Sequence, residues 1–287
     1  MRPDLWGMLR DARYALSRQI ERFVGGPGPE AAARICGRLH RSGLTATVGH
    51  FPANGDSPDD VAAVNRTMAA CLRSRAGDVY LSVKAPPLGF DPDHLRALAE
   101  AAAAARLTLM FDAHAPHQAE PTQQLFAELL ARYPGTGCVL PARWQRSPAD
   151  AERFRDSSAR LRIVKGEWAD PEWSGEIEDS YLGLIARLAG RRSPVAVATH
   201  CPTLAERALA LLLDAGTPCE LEQLRGLPMH RTMAIARRWA VPVRVYVPFG
   251  RGWWPYALDK ALARPYLLPW LIRDRLGWAD SPRYRPA

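Results

Sequence analysis

A set of polar residues in this chain stands where apolar runs end. Lys84 follows Leu81-Ser82-Val83, Asp112 follows Leu109-Met110-Phe111, and Lys165 follows Arg162-Ile163-Val164. Thr199 and His200 follow Val195–Ala198, Glu220 and Glu222 sit in the run from Cys219, and Tyr246 lies within Val243–Val247. Ammonium, guanidinium, carboxylate and imidazole groups are the materials of ion binding, proton transfer and metal ligation. Singly, each has an ordinary structural reading. A Lys or Asp after a strand is as often a solvated loop residue or a helix cap, and a lone histidine is more often a satisfied structural one. Their common register at the ends of apolar runs is what raises the joint reading.

His50, Asp112, His114, His117 and His200 also permit a metal-dependent barrel hydrolase. However, the H-x-H expected after the first strand is missing, because His50 is followed by Phe51-Pro52. The five cysteines are odd in number, widely spaced and free of any C-x-x-C pair, which argues against a disulfide framework and a zinc site. A net charge of +8 raises a nucleic-acid partner, but the basic residues are scattered and lack aromatic interleaving. Of 38 basic residues only Lys84, Lys165 and Lys260 are lysines. Each surviving lysine therefore asks what needs a compact ammonium there.

These residues must be positioned by the elements around them. From about residue 44, short apolar runs alternate with amphipathic segments, the pattern of repeated βα units. The expected strands are Leu44–Val48, Val79–Val83, Leu107–Phe111, Cys138–Leu140, Leu161–Val164, Val195–Ala198, Cys219–Leu221 and Val243–Val247. Helices are expected over Asp93–Ala105, Pro121–Ala131, Ile177–Leu188 and Leu204–Leu213, with Asp11–Phe23 and Pro29–Leu39 ahead of the array. Eight such units close into an α/β TIM barrel, here (β/α)8, in which strand C-terminal ends carry the site. The chain reads as residues 1–43, a helical extension, and 44–287, the barrel, in one domain overall. An open Rossmann sheet competes but lacks G-x-G-x-x-G after an early strand. Without an apolar leader or a span of 18 apolar residues, the sequence reads as soluble and cytoplasmic. The tail Tyr266–Trp278 reads as a closing helix, with a dimer or membrane-quinone contact as the other reading of its aromatics.

Ordered segments of the chain resemble the proline dehydrogenases. They are Leu81–Lys84 with Leu88-Gly89, Arg162–Gly166, Ala198–His200, Cys219–Gly226, and Arg244–Gly250 with Trp254-Pro255-Tyr256. The resemblance implies a distorted barrel holding FAD, which takes a hydride from a carbon beside an amine nitrogen. It implies that Lys84, Asp112, Arg162, Tyr246 and Tyr256 serve catalysis, with Arg162 near the flavin N5 edge. Arg162, Lys165, Gly166, Thr199, His200 and Glu220 would hold the cofactor. Lys84, Trp168, Arg225, Tyr246, Tyr256, Asp259 and Lys260 would line the substrate pocket.

Departures from that pattern point away from free proline. The family's adjacent arginines, which fork onto the substrate carboxylate, and its glutamate four positions on are matched by Asp259, Lys260 and Ala263. Pro141 stands for a glutamine, Glu167 for an alanine, Trp168 for a tyrosine, and Cys201 follows Thr-His. Glu222 and Arg225 replace a glutamine and a tyrosine. Losing a bidentate guanidinium forfeits charge-assisted bonds of roughly 1.5–3 kcal/mol each. The expectation is an FAD-dependent oxidoreductase of secondary metabolism, acting on an amine, imino acid or amino-acid derivative, free or carrier-bound. Its electron acceptor is oxygen or a quinone, and a homo-oligomer is left open. The alternative is a degenerate, flavin-free barrel acting as a binding or regulatory partner.

Overall fold

The computed structural model describes residues 26–73 and 78–253. Eight parallel strands close into a barrel in sequence order: β1 Thr45–His50, β2 Val79–Val83, β3 Thr108–Phe111, β4 Gly137–Pro141, β5 Arg160–Val164, β6 Val195–Ala198, β7 Cys219–Leu224 and β8 Val243–Phe249. Closure runs through β1 and β8, paired from Thr45↔Arg244 to His50↔Phe249. The helices are α1 Pro29–Arg41, α2 Pro58–Leu72, α3 Pro92–Ala104, α4 Ala119–Arg132, α5 Ser147–Phe154, α6 Ile177–Leu188, α7 Pro202–Asp214 and α8 His230–Arg238. Helix α1 packs across β1, β8 and α2. The expected Asp11–Phe23 helix and the Tyr266–Trp278 tail lie outside the described residues.

Local sequence explains where the helices begin. Five of them (α1, α2, α3, α5 and α7) carry proline in their first two positions, where its missing N–H costs nothing. At α2, Ser57 and Asp60 form a reciprocal capping box, and Asp91 caps α3. The apolar core lies between the strands' outer faces and the helices, with Leu81, Ile163, Val197 and Val245 meeting Leu98, Phe126, Ile185 and Leu209. At the C-terminal end of α5, the buried Arg191 guanidinium donates to the carbonyls of Phe154, Ser157 and Ala159 at 2.9–3.1 Å. Burial lowers its pKa to about 10, with the nearby Asp156 charge only partly opposing the shift.

The barrel lumen is unusually polar. Strand alternation sends every second residue inward. On β7 that gives Glu220 and Glu222; on β5, Arg160 and Arg162; on β8, Arg244 and Tyr246; on β2, Tyr80, Ser82 and then Lys84. Near the N-terminal ends, fully buried Arg244 donates to Glu220 at 3.0 Å and to the Ala46 carbonyl at 2.7 Å, and it bonds Asp78 at 2.6 Å. Its guanidinium lies 3.4 Å over the Tyr80 ring, whose hydroxyl receives Arg160. β7 runs three residues past the expected Cys219–Leu221 because these inward charges belong to the strand. Among the described residues no cysteine is disulfide-bonded, no acidic, histidine or cysteine group is arranged to hold a metal, and no helix is long and apolar enough to cross a membrane.

Candidate active site at the C-terminal mouth of the barrel

A cavity of about 910 Å³ opens at the C-terminal ends of the strands. Its floor is a second charged layer. Arg162 donates through Nε to Glu222 Oε2 at 2.7 Å and through Nη1 to Asp112 Oδ1 at 2.9 Å, with Nη2 3.4 Å from Thr47 Oγ1. Thr47 in turn donates to Glu222 Oε1 at 2.9 Å. Asp112 Oδ2 accepts from Tyr246 at 2.9 Å and pairs with Lys84 Nζ at 3.2 Å. Lys84 also donates to the His50 carbonyl at 3.0 Å and lies 4.4 Å from the centre of the Phe51 ring.

The electrostatics follow from this packing. Burial opposes ionisation of Asp112, but the charges of Lys84 and Arg162, with the Ser82 and Tyr246 hydroxyls, outweigh it and hold the carboxyl below its ordinary range. Burial likewise opposes charge on Arg162, yet Glu222 and Asp112 keep it firmly protonated. Burial raises the Tyr246 phenol well above its usual value, the Asp112 carboxylate adds to the rise, and the group stays a donor. Glu222 is pushed up by burial against the pull of Arg162.

Gly49 makes this arrangement sterically feasible. A Cβ there would overlap the Tyr246 hydroxyl and the ring atoms behind it, so only glycine on β1 lets the tyrosine cross to Asp112. Gly166, at φ +96° after β5, would with a Cβ press on Pro141 and Arg143.

The sequence-derived candidates fall into three groups. Lys84, Asp112, Arg162 and Tyr246 meet in one network, and Pro141, Gly166, Glu167, Trp168, His200 and Glu222 also line the cavity. His200 is held at both ring nitrogens, with Nδ1 2.7 Å from the Pro228 carbonyl and Nε2 accepting from the Leu224 amide at 2.9 Å. The second group is placed elsewhere. Glu220, expected at the cofactor, lies a layer below the mouth in the grip of Arg244, because it is the second residue of β7. Thr199 is buried, with its hydroxyl accepting from the Cys201 amide. Cys201 packs in the apolar core, and neither the exposed Arg225 nor the half-buried Lys165 is among the lining residues. Glu222, which stands for a glutamine of the family pattern, is paired with Arg162, so its charge is balanced within the protein. Tyr256, Asp259 and Lys260, with Ala263, lie outside the described residues.

Sequence reasoning missed Thr47 and Gly49, which sit inside a strand and read there as packing. It also missed the His114–Trp168 stack, with ring centres 5.4 Å apart at the cavity edge. The Asp112-Ala113-His114 spacing was the available signal.

Comparison with known proteins places this geometry in context. No family model matches the chain. Proline dehydrogenase 1 of Bacillus subtilis subsp. natto is 27% identical over 271 residues, covering 88% of this chain and 89% of the relative. The proline dehydrogenase of Deinococcus radiodurans is 23% identical, covering 92% of each chain. Among solved structures, proline utilization A from Bdellovibrio bacteriovorus gives a TM-score of 0.73 at 17% identity, over 94% of this chain and 34% of that one. The Corynebacterium freiburgense protein gives 0.64 at 18% identity, over 100% and 37%. The chain thus spans about a third of the length of these two structures, and the likeness to them is one of fold. Along most of its length the sequence is similar to proline dehydrogenases, and its closed eight-stranded barrel has the fold of the proline utilization A structures.

Proposed function

We propose that the protein is an FAD-dependent oxidoreductase that oxidises a C–N bond of an amine, imino acid or amino-acid derivative. The observation that carries this reading is the network of Lys84, Asp112, Arg162 and Tyr246 on the floor of a cavity at the catalytic end of a proline-dehydrogenase-like barrel. The residues present fit a flavin. Pro141, Val164, Ala198 and Leu224 offer apolar wall, the absent Cβ of Gly166 leaves the end of β5 open, and Arg162 keeps two of its five N–H groups unengaged by described residues. Arg162 and Gly166 would hold the cofactor, with His200 beside it, its ring fixed by two backbone partners. When bound, FAD would supply the two-electron acceptor.

The chain's own residues do the positioning. Glu222 and Thr47 aim the Arg162 guanidinium, and Asp112 links that cation to Lys84 and Tyr246, so the charges are fixed before a substrate arrives. The Lys84 ammonium is already occupied by the Asp112 carboxylate, the His50 carbonyl and the Phe51 ring face. Together with Asp259 in place of an arginine, this supports a substrate without a free carboxylate.

The test is an anaerobic titration of the FAD-reconstituted protein with proline, prolinamide and pyrrolidine, following flavin bleaching. Reduction by the carboxylate-free compounds at concentrations where proline is inert is the expected result. Bleaching by millimolar proline alone overturns the substrate reading. A protein that cannot take up FAD overturns the redox reading and favours the binding-partner alternative.

A further inference from the structure

Resting on the amine-oxidation reading above, we propose that His114 and Trp168 form the seat of the substrate's nitrogen. The imidazole Nε2 accepts an N–H of the bound amine, and the indole face covers its positive charge.

Accepting an N–H requires a lone pair at the cavity surface, and most polar groups there are engaged. Lys84 and Arg162 only donate. Asp112 already receives Arg162, Tyr246 and Lys84, and Glu222 receives Arg162 and Thr47 deep in the floor. Both nitrogens of His200 are held by backbone.

His114 differs. It lines the cavity two residues beyond Asp112, and its Nδ1 lies 2.8 Å from Gln118 Oε1. An amide oxygen only accepts, so in the neutral ring the proton sits on Nδ1 and Nε2 presents a lone pair. That nitrogen has no hydrogen bond to a described residue.

The ring is held flat against Trp168, with planes 29° apart, and Trp168 is itself fixed where its carbonyl accepts Trp144 Nε1 at 2.9 Å. Trp168 is 47% exposed, which a large aromatic residue usually avoids without a ligand or partner to cover it. An indole face with the neighbouring Glu167 carboxylate, both lining the cavity, is the pairing that recognises an organic cation. A rigid acceptor and a cation-binding face thus meet at one edge of a floor whose own charges cancel.

The test separates N–H recognition from charge recognition and from redox chemistry. Binding of pyrrolidinium and of N,N-dimethylpyrrolidinium, which has no N–H, is measured by calorimetry on the FAD-reconstituted protein under anaerobic conditions. The wild type is expected to favour pyrrolidinium by roughly ten-fold or more, the worth of one hydrogen bond to a charged donor. His114→Phe keeps the aromatic stack and should abolish that preference while leaving N,N-dimethylpyrrolidinium binding unchanged. Trp168→Leu should weaken both ligands alike by several-fold. The same preference is expected before FAD is added, so failure to bind or reduce flavin bears on the redox reading alone. A wild type that binds no pyrrolidinium or does not discriminate, or a His114→Phe variant that still does, overturns the proposal.

Discussion

The barrel lumen holds two charged layers built from the same strands two residues apart, and the upper one forms the floor of the cavity at the mouth. The lower layer joins Arg244, Glu220 and Asp78 around Tyr80, and Arg244 is entirely buried. The upper layer joins Arg162, Glu222, Asp112 and Lys84 around Tyr246, and it lies open to about 910 Å³ of space. The chemical inventory is nearly the same: an arginine, carboxylates and a tyrosine. What differs is the strand end. Below, the network closes around a fully buried arginine and acts as a polar core; above, the same kind of network lines a cavity and lies open to a ligand. Charge in a barrel interior therefore does not by itself mark a site; its height along the strands does.

The sharpest way to break this contrast is Arg244→Ala. It strands Glu220 without a partner and is expected to destabilise the fold by about 3–5 kcal/mol, read by denaturant unfolding. A loss of flavin reduction with stability intact would instead make the lower layer catalytic. Next in size is Gly49→Ala, whose methyl group displaces Tyr246. It should cost about 1–3 kcal/mol, and that cost should largely vanish in a Tyr246→Ala background. Tyr246→Phe removes only the hydroxyl that bonds Asp112. It should cost about 1 kcal/mol of stability but about ten-fold or more in the rate of flavin reduction by the amine substrate, separating the upper layer's two roles.

Lys84→Met sharpens the electrostatic side. The folded pKa of Asp112 lies below its unfolded value, so its contribution is present above about pH 4 and is lost as pH falls through the folded value. Removing Lys84 raises that folded value, and the midpoint of acid unfolding should move to higher pH. The smallest effect belongs outside the lumen. Arg238 and Glu206 pair on the exposed surface, and Arg238→Ala should change stability by less than about 1 kcal/mol.

Much of the fold was legible because period and punctuation agreed. Val79–Val83, Val195–Ala198 and Ile177–Leu188 fall where the apolar pattern places them, each bounded by Gly, Pro or charge. β7 was cut short because Glu222 and Gln223 look like loop residues unless the lumen is known to be polar. At the site, Lys84 and Asp112 were singled out by their place at strand ends and Tyr246 by its place in the last strand, whereas Arg162 came only through the resemblance to the proline dehydrogenases. Thr47 was not, since a threonine inside a strand is what any sheet contains. Glu220 was misplaced for the complementary reason: its neighbour two residues on reaches the mouth, and depth along a strand is invisible until registers such as Glu220↔Ala196 and Glu222↔Arg244 are known.

The seam between β1 and β8 also sets the order of events during synthesis. Thr45 bonds the Val243 carbonyl 198 positions away, Gly250 donates to the Pro27 carbonyl, and α1 lies over both strands. Until residue 249 has left the ribosome, β1 has an unpaired edge and α1 lacks its contact with β8. Closure is thus the last and longest-range step, and a chain stalled before it presents the kind of bare strand edge on which two nascent copies can pair.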